Sequence, residues 1–479
     1  MSDSGAAHQR PGLLIATLSV VALTVAILQT SVVPILGVIA RQLHVSEVDV
    51  SWVITANLLS AVATTPLIGR LADLHSKKWA LLSVLAVVMA GSVIAATTTS
   101  LPLLVFARVL QGASFSLYPV AVSILREELP PERLMPAMAV ISGTLGVGGG
   151  TGLVVTGLLM TGSAGYHRVF WVTTVFSASV LLAVVLIVPA RRSHATGTVD
   201  WAGAAGLALG LSALLMGITQ GQTWGWGSPK TVGSLLAAAI VLWLWWRWEQ
   251  RCEHPLVSLT MLSYRPILVT NLATVLVGMG LYFGFLGVTT VAQAPIGKSG
   301  FGATVLTASL VFQFPGAMAG FLATLISGRY IDRYGARAVL AVGSAIGVVG
   351  YIVLALPQAA RWEVIGAAIL TSIYISLAYG ALPSLIIREV DPGETGVATS
   401  MNAIARTIGA ALAAALIAVL LTRSGHGANP GLSYTIIFSL GAVTACAAML
   451  LILLSRPRLR PLESLDDIAN TRAMNHEWG

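Results

Sequence analysis

Long apolar runs, broken by short polar joins, set the pattern of this chain. Seven lie near 13–36, 50–69, 79–99, 102–125, 134–160, 168–189 and 200–220. Seven more lie near 230–247, 266–293, 302–327, 336–356, 362–387, 396–422 and 433–455. As helices rising 1.5 Å per residue, each can cross a hydrocarbon core about 30 Å thick. The pattern therefore predicts an all-α integral membrane protein with fourteen transmembrane helices.

Two of the joins are related. Gly69-Arg-Leu-Ala-Asp-Leu-His-Ser-Lys-Lys78 follows the second run, and Gly328-Arg-Tyr-Ile-Asp-Arg-Tyr-Gly-Ala-Arg337 follows the tenth. Arg126-Glu-Glu-Leu-Pro-Pro-Glu132 recurs at nearly the same offset as Arg388-Glu-Val-Asp-Pro-Gly-Glu394. Nearly equal offsets mean two related halves, a mark of secondary transporters. Runs seven and eight have no counterpart in either half and read as an insertion. The expected division is a tail over 1–12, a six-helix bundle over 13–190, an inserted two-helix linker over 191–265, a second six-helix bundle over 266–455 and a tail over 456–479. That last tail opens Arg456-Pro-Arg-Leu-Arg460, suited to anionic lipid.

Composition agrees with the pattern. The 479 residues are 56% hydrophobic and only 10% charged, with a mean hydropathy of +0.85, whereas soluble proteins carry about 25% charged residues. The net charge of +8 raises the question of nucleic acid. Nineteen of the 27 Lys and Arg, however, fall on the side of the Gly69–Lys78 join, six on the other, and Arg108 and Arg406 inside runs. That bias makes the Gly69–Lys78 side cytoplasmic, with both termini. No basic face with a fold around it is visible, so no nucleic-acid partner is expected. Cys252 sits in a loop and Cys446 within the last run, so no disulfide is expected. The first run is too long for a signal-peptide core and reads as a retained helix.

The charge inventory carries the chemistry. All 19 acidic residues and all 8 histidines fall in loops, tails or run ends. Arg108 and Arg406, apart from Cys446 and tyrosines, are the ionisable groups at depth. A buried arginine costs at least about 2.5 kcal/mol at a helix centre, so each needs carbonyls, water or an anion. Metal or acid–base catalysis needs clustered His, Asp or Glu at depth. Neither an enzyme, a metal site nor a cofactor is expected. Gly297-Lys-Ser299 resembles the end of a phosphate loop, but Ala292 stands where that loop's first glycine belongs, and no strand precedes it. Candidate cavity residues are Gln29, Asn57, Arg108, Gln111, Tyr118, Tyr282, Gln313, Tyr379, Asn402 and Arg406. Polar groups within spans face the bundle interior or bond to a neighbouring helix. Gln111 shares a helix face with Arg108. Gly148, Gly152 and Gly157 suit close helix packing, and Trp243-Leu-Trp-Trp-Arg-Trp248 suits an interfacial anchor.

Several of these motifs stand together in a known order. Gly69-Arg-Leu-Ala-Asp73 with Lys77 and Lys78, Arg108 with Gln111 and Gly112, Asp200-Trp201 with Gly203, and Arg406-Thr-Ile-Gly409 resemble the major facilitator superfamily, in its fourteen-span drug:proton antiporter branch. The resemblance implies two six-helix bundles around a central cavity and alternating access by rocking. It implies secondary active efflux of amphiphilic drugs, antibiotics or natural products from a bacterial cell, as a monomer in the inner membrane. Its partners would be a small amphiphilic cargo and the lipid bilayer. Asp73 would cap a neighbouring helix N-terminus and latch the inner gate with Gly69, Arg70, Lys77 and Lys78. Gly328, Arg329, Asp332 and Arg333 would do the same in the other half.

Two departures modify that expectation. Gln29, before Thr30, stands where the branch usually carries an aspartate. Leu153 and Thr156 replace a proline and a glycine of its fifth-helix exporter motif. Without an acid at depth, neutral or anionic cargo is favoured, oriented by Arg108 and Arg406. Proton coupling, if present, needs Asp49 at the outer mouth, Asp73, or the cargo's own titration. An importer or uncoupled facilitator of a small metabolite is the alternative.

Overall fold

A computed structural model describes residues 11–160, 165–191, 198–253, 255–296, 300–357, 360–390, 394–425 and 430–454. Residues 1–10, the 456–479 tail, Gly297-Lys-Ser299 and Asp391 lie outside the described residues. Fourteen helices among them are long and apolar enough to cross a membrane. The first seven are α1 (Pro11–Leu43), α2 (Trp52–Leu74), α3 (Lys77–Thr97), α4 (Leu101–Glu128), α5 (Pro131–Leu159), α6 (His167–Ile187) and α7 (Trp201–Gly221). Then come α8 (Pro229–Glu249), α9 (Arg265–Gln293), α10 (Ala308–Tyr334), α11 (Ala336–Ala355), α12 (Arg361–Ile387), α13 (Thr395–Leu421) and α14 (Gly431–Leu454).

Helices form here because lipid offers the backbone no hydrogen bonds, so each segment must meet its own. Local chemistry sets their ends. The Ser46 hydroxyl caps the helix leading into α2 by accepting from Asp49 N at 3.1 Å, and the Asp200 carboxylate caps α7 by accepting from Gly203 N at 2.8 Å. Gly335 ends α10 with φ 85°, a left-handed conformation that costs glycine nothing. The outer faces of the helices keep large apolar side chains exposed, among them Val175, Leu186, Leu209 and Val443, as lipid contact requires.

Helices α1–α6 and α9–α14 pack as two bundles that meet along two seams, α5 on α10 and α12, and α2 and α4 on α13. Small residues line the first. A Cβ at Gly143 would come within 2.7 Å of Thr324, at Gly150 within 3.0 Å of Ala317, and at Gly328 within 2.6 Å of Pro136. Gly157 meets Leu306 on the same seam. Gly148 and Gly152, on another face of α5, receive α1 instead, at Leu23, Ala26, Ile27 and Thr30.

Helices α7 and α8 form an antiparallel hairpin, and α7 rests on both α2 and α13. Gln220 of α7 donates to the Thr55 hydroxyl of α2 at 3.1 Å. At the hairpin's base Trp248 Nε1 donates to Asp200 at 2.9 Å, and Arg247 lies over the Trp243 ring at 5.9 Å. Buried Glu249 accepts from the backbone N–H groups of Leu256 and Val257 at 3.1 and 3.4 Å. This tucks the connection to α9 against Ile386, Val390, Val397 and Ala398.

Candidate functional site

A cavity with about 1240 Å³ of empty space, its open mouth included, lies between the bundles. Helix α1 contributes Val25, Gln29, Thr30 and Val33, and α5 contributes Leu145, Gly149 and Gly150. Most of the wall comes from the second bundle: Tyr282 and Phe285 of α9, Gln313 of α10, Tyr351 of α11, a face of α12, and Arg406 of α13. Two of the helices that line this space are irregular here. Helix α1 tightens to a 3₁₀ turn at Val33–Ile35 around Pro34, and α10 opens with a π-type turn over Ala308–Gln313 ahead of Pro315. Such turns concentrate at functional sites because they re-aim side chains. Here the turn brings the Gln313 amide to the Phe285 carbonyl at 2.8 Å and the Thr289 hydroxyl at 3.0 Å.

The two deep arginines have opposite surroundings. Arg108 is 1% exposed and does not line the cavity. Its Nε donates to the Val53 carbonyl at 3.0 Å, and its Nη1 donates to the Leu28 carbonyl at 3.3 Å and to Gln111 Oε1 at 2.7 Å. Gln111 passes the chain on to the Ser92 hydroxyl, and Asn57 donates to the Arg108 carbonyl. Asn57, Arg108 and Gln111 thus form a polar strut through α1, α2, α3 and α4, away from the space in which the sequence set them. Helix capacity explains the difference: α1 and α2 offer carbonyls that a charged donor can meet without water.

Arg406 is half-buried on the cavity wall. Its guanidinium lies over the Tyr379 ring at 4.8 Å and the Tyr118 ring at 5.7 Å. Among the described residues no carboxylate or hydrogen-bond acceptor meets it. Tyr118 belongs to α4, so this stack joins the two bundles; its hydroxyl pairs with Ser142 at 2.9 Å, behind the cavity. Close approach of α9 and α13 fixes the arginine's position. A Cβ at Gly278 would strike the Arg406 carbonyl, and one at Gly409 the Val275 carbonyl. One turn earlier, Asn402 donates to Asn271 at 3.2 Å and Thr274 at 2.7 Å, a clamp between those helices outside the lining.

Of the expected cavity set, the structure therefore brings Gln29, Tyr282, Gln313, Tyr379 and Arg406 to one space. It adds residues the sequence reading missed. Ser372, Ser376 and Tyr379 recur at helical spacing on α12, a signal open to inspection, with Thr371 beside them. Tyr351, whose hydroxyl donates to the Gly280 carbonyl at 2.5 Å, carries no such pattern. No carboxylate lines the cavity among the described residues.

At the end bearing the Gly69–Lys78 join, the halves are latched. Buried Asp73 accepts from the Gly396 and Val397 N–H groups at 3.2 and 3.1 Å, at the N-terminus of α13, and from the Ser123 hydroxyl at 3.3 Å. A carboxylate there meets both free N–H groups and the positive end of the helix dipole. Gly69 admits Gly396 and Ser400. Lys77 pairs with Glu127, and Lys78 donates to the Val185 carbonyl. Arg126 adds bonds to the Thr395 hydroxyl and the Val390 carbonyl at 2.5 and 2.8 Å. Arg70 stands beside Glu253 and Glu394.

The second copy forms no such latch. Arg329, Asp332 and Arg333 are exposed, without an ion pair among the described residues, and Gly328 only packs on Pro136. The repeat places Leu134 of α5 where Gly396 stands, and its N–H is already bonded to the Pro130 carbonyl at 3.2 Å. A side chain and a spent donor leave Asp332 nothing to cap.

Comparison with known proteins supplies the remaining context. The profile of the Major Facilitator Superfamily matches residues 18–414 and 271–471. The chain is 27% identical over 438 residues to the tetracenomycin C resistance and export protein of Streptomyces glaucescens, covering 87% of this chain and 78% of that one. It is 28% identical over 363 residues to the uridine/deoxyuridine transporter of Lactococcus lactis subsp. cremoris, covering 74% of each. In fold it is similar to the human organic anion transporter MFSD10 (TETRAN), with a TM-score of 0.62 at 15% identity over 91% of this chain and 99% of that one.

Proposed function

The chain belongs to the major facilitator superfamily, and from that premise we propose that it exports amphiphilic small molecules, antibiotics or natural products among them, by alternating access. The observation that carries this reading is the central cavity: aromatic and aliphatic walls with a few polar groups suit amphiphilic cargo. The similarity to an antibiotic resistance and export protein over most of both chains supports it. Cargo without positive charge is favoured, because the wall offers Arg406 and no acid among its described residues. The energy source is the transmembrane electrochemical gradient, with no bound cofactor. The protein works as a monomer in a bacterial inner membrane, with the latched end and both termini in the cytoplasm.

Import or uncoupled passage of a small metabolite is the second reading, favoured by the similarity to a nucleoside transporter. Everted membrane vesicles separate the two. Export predicts ATP-independent accumulation of tetracycline-like probes inside everted vesicles, abolished by collapsing the ion gradients. Uridine uptake by intact cells, with no accumulation of those probes in everted vesicles, would replace export with the second reading.

A further inference from the structure

A cation on a cavity wall, held against two rings and met by no acceptor among the described residues, is a site lacking its counter-charge. Tyr118 and Tyr379 hold the Arg406 guanidinium from two bundles, and cation–π contact stabilises it without neutralising it. The cavity offers no carboxylate among its described residues, so the neutralising group has to arrive with the cargo. We propose that Arg406 is the receptor for a single negative charge on an aromatic cargo, a carboxylate, sulfonate or phenolate, and that the membrane voltage drives the export of that anion. This rests on the export reading above and names its cargo class and driving force.

The charge arithmetic follows from one fixed arginine. Loaded with a monoanion, the site is neutral and crosses between its inward-facing and outward-facing states without sensing the field. Emptied outside, it carries one positive charge, and an inside-negative potential favours its return. Each cycle moves one negative charge outward. A potential of about 100 mV then sustains a roughly fiftyfold gradient of a monoanion. No titrating group in the protein is required. The carboxylates placed to carry a proton lie away from the cavity: Asp73 is bound to the N-terminus of α13, Asp49 lies exposed beside Ser46 at the opposite end, and Glu249 holds the Leu256 and Val257 N–H groups at the base of the hairpin.

The planar fork of Arg406 suits an oxyanion bound through two oxygens, and the ring of the cargo has Tyr282 and Phe285 as neighbours. The arginine thereby gives the cavity a polarity that size and greasiness alone do not.

The test uses the full-length protein in proteoliposomes with two aromatic probes of permanent single charge, 1-anilinonaphthalene-8-sulfonate and ethidium, against protein-free vesicles. A potassium gradient with valinomycin sets the voltage, and a separate buffer step sets the pH gradient. The expected result is outflow of the sulfonate that rises with inside-negative voltage and ignores the pH gradient, together with sulfonate–sulfonate exchange that is insensitive to voltage. In R406Q net sulfonate flux falls at least tenfold, and the residual exchange becomes voltage-sensitive, because the loaded site is now charged. A purely structural role for the arginine would not transfer voltage sensitivity between steps. If R406Q does not fold, R406K serves: it keeps the charge without the fork, so the voltage-insensitive exchange persists with a severalfold higher KM. Sulfonate flux that follows the pH gradient, or is unchanged in both variants, overturns the proposal. Transport of ethidium but not the sulfonate overturns it while leaving export standing. Movement of neither probe overturns this inference, and the everted-vesicle assay then decides whether export of uncharged cargo stands.

Discussion

Arg108 and Arg406 show how little a residue's type says about its task. Arg108 donates to two carbonyls and Gln111 and is shut from the cavity. Replacing it with methionine would leave those acceptors unmet, each at about 1–3 kcal/mol, partly offset because a charge is no longer buried. We expect R108M to lose about 2–4 kcal/mol of stability, read as a lower Tm in detergent, with probe affinity of the folded fraction unchanged. Arg406 has no such acceptors among the described residues, so R406Q should leave Tm within a degree or two of the parent or raise it. A large fall in Tm for R406Q, or none for R108M, would reverse the assignment. The sequence showed that both arginines are deep and acid-free. It could not tell them apart, because what separates them is which carbonyls of α1 and α2 come within reach, a matter of helix rotation and not of local pattern.

Between helices, the decisive contacts are made where side chains are smallest. Gly409 lies against the Val275 carbonyl and Gly278 against that of Arg406. A methyl group at either position must push α9 from α13, and overpacking of this kind costs about 1–3 kcal/mol. G409A should therefore lower Tm and also weaken probe binding, since it moves the helix that carries Arg406. Titration of tryptophan quenching beside a thermal melt reads both. The latch offers a second test. D73N keeps an acceptor but loses the charge that the α13 N-terminus stabilises, a loss of about 0.5–2 kcal/mol. A cysteine placed at Ser400, beneath Gly69, should then react with a bulky maleimide roughly 2- to 30-fold faster from the latched end. An unchanged rate would mean that the cap does not hold the seam. The cap made by the first copy of the repeated join was legible because the Asp lies at a helix end. The failure of the second was not, since it turns on the Leu134 side chain and the spent N–H beside Pro130, neither of which belongs to the Gly-Arg-x-x-Asp pattern.

At the scale of the whole molecule, fourteen spans, two related halves and an inserted pair were all readable from apolar length and motif order, because lipid leaves the backbone so few options. The cavity's makeup was only half readable. Polar residues within spans faced either the cavity or a neighbouring helix, and Asn57, Gln111 and Asn402 took the second course. The inserted pair supplies a further expectation. Helix α7 touches both bundles but bonds to the first through Gln220 and Thr55, so it should travel with that bundle. Joining T55C to Q220C with a short bis-maleimide should leave transport intact. A block on cross-linking, restored when a cleavable linker is cut, would show that the pair moves independently.

The seam of α5 on α10 bears on how the molecule opens. Its glycines meet Thr324, Ala317, Leu306 and Pro136 from one end of the helices to the other, while the opposite edge is fastened by hydrogen bonds around Asp73 and Arg126 and, deeper, by the Arg406–Tyr118 stack. A closed book has the same plan: a bound spine and a clasp. Parting the clasp would open a gap on the α2 and α13 side, where the inserted hairpin rests. Whatever shelters under that hairpin, whether a lipid tail or a drug built to lodge there, would jam the clasp while leaving the binding page untouched.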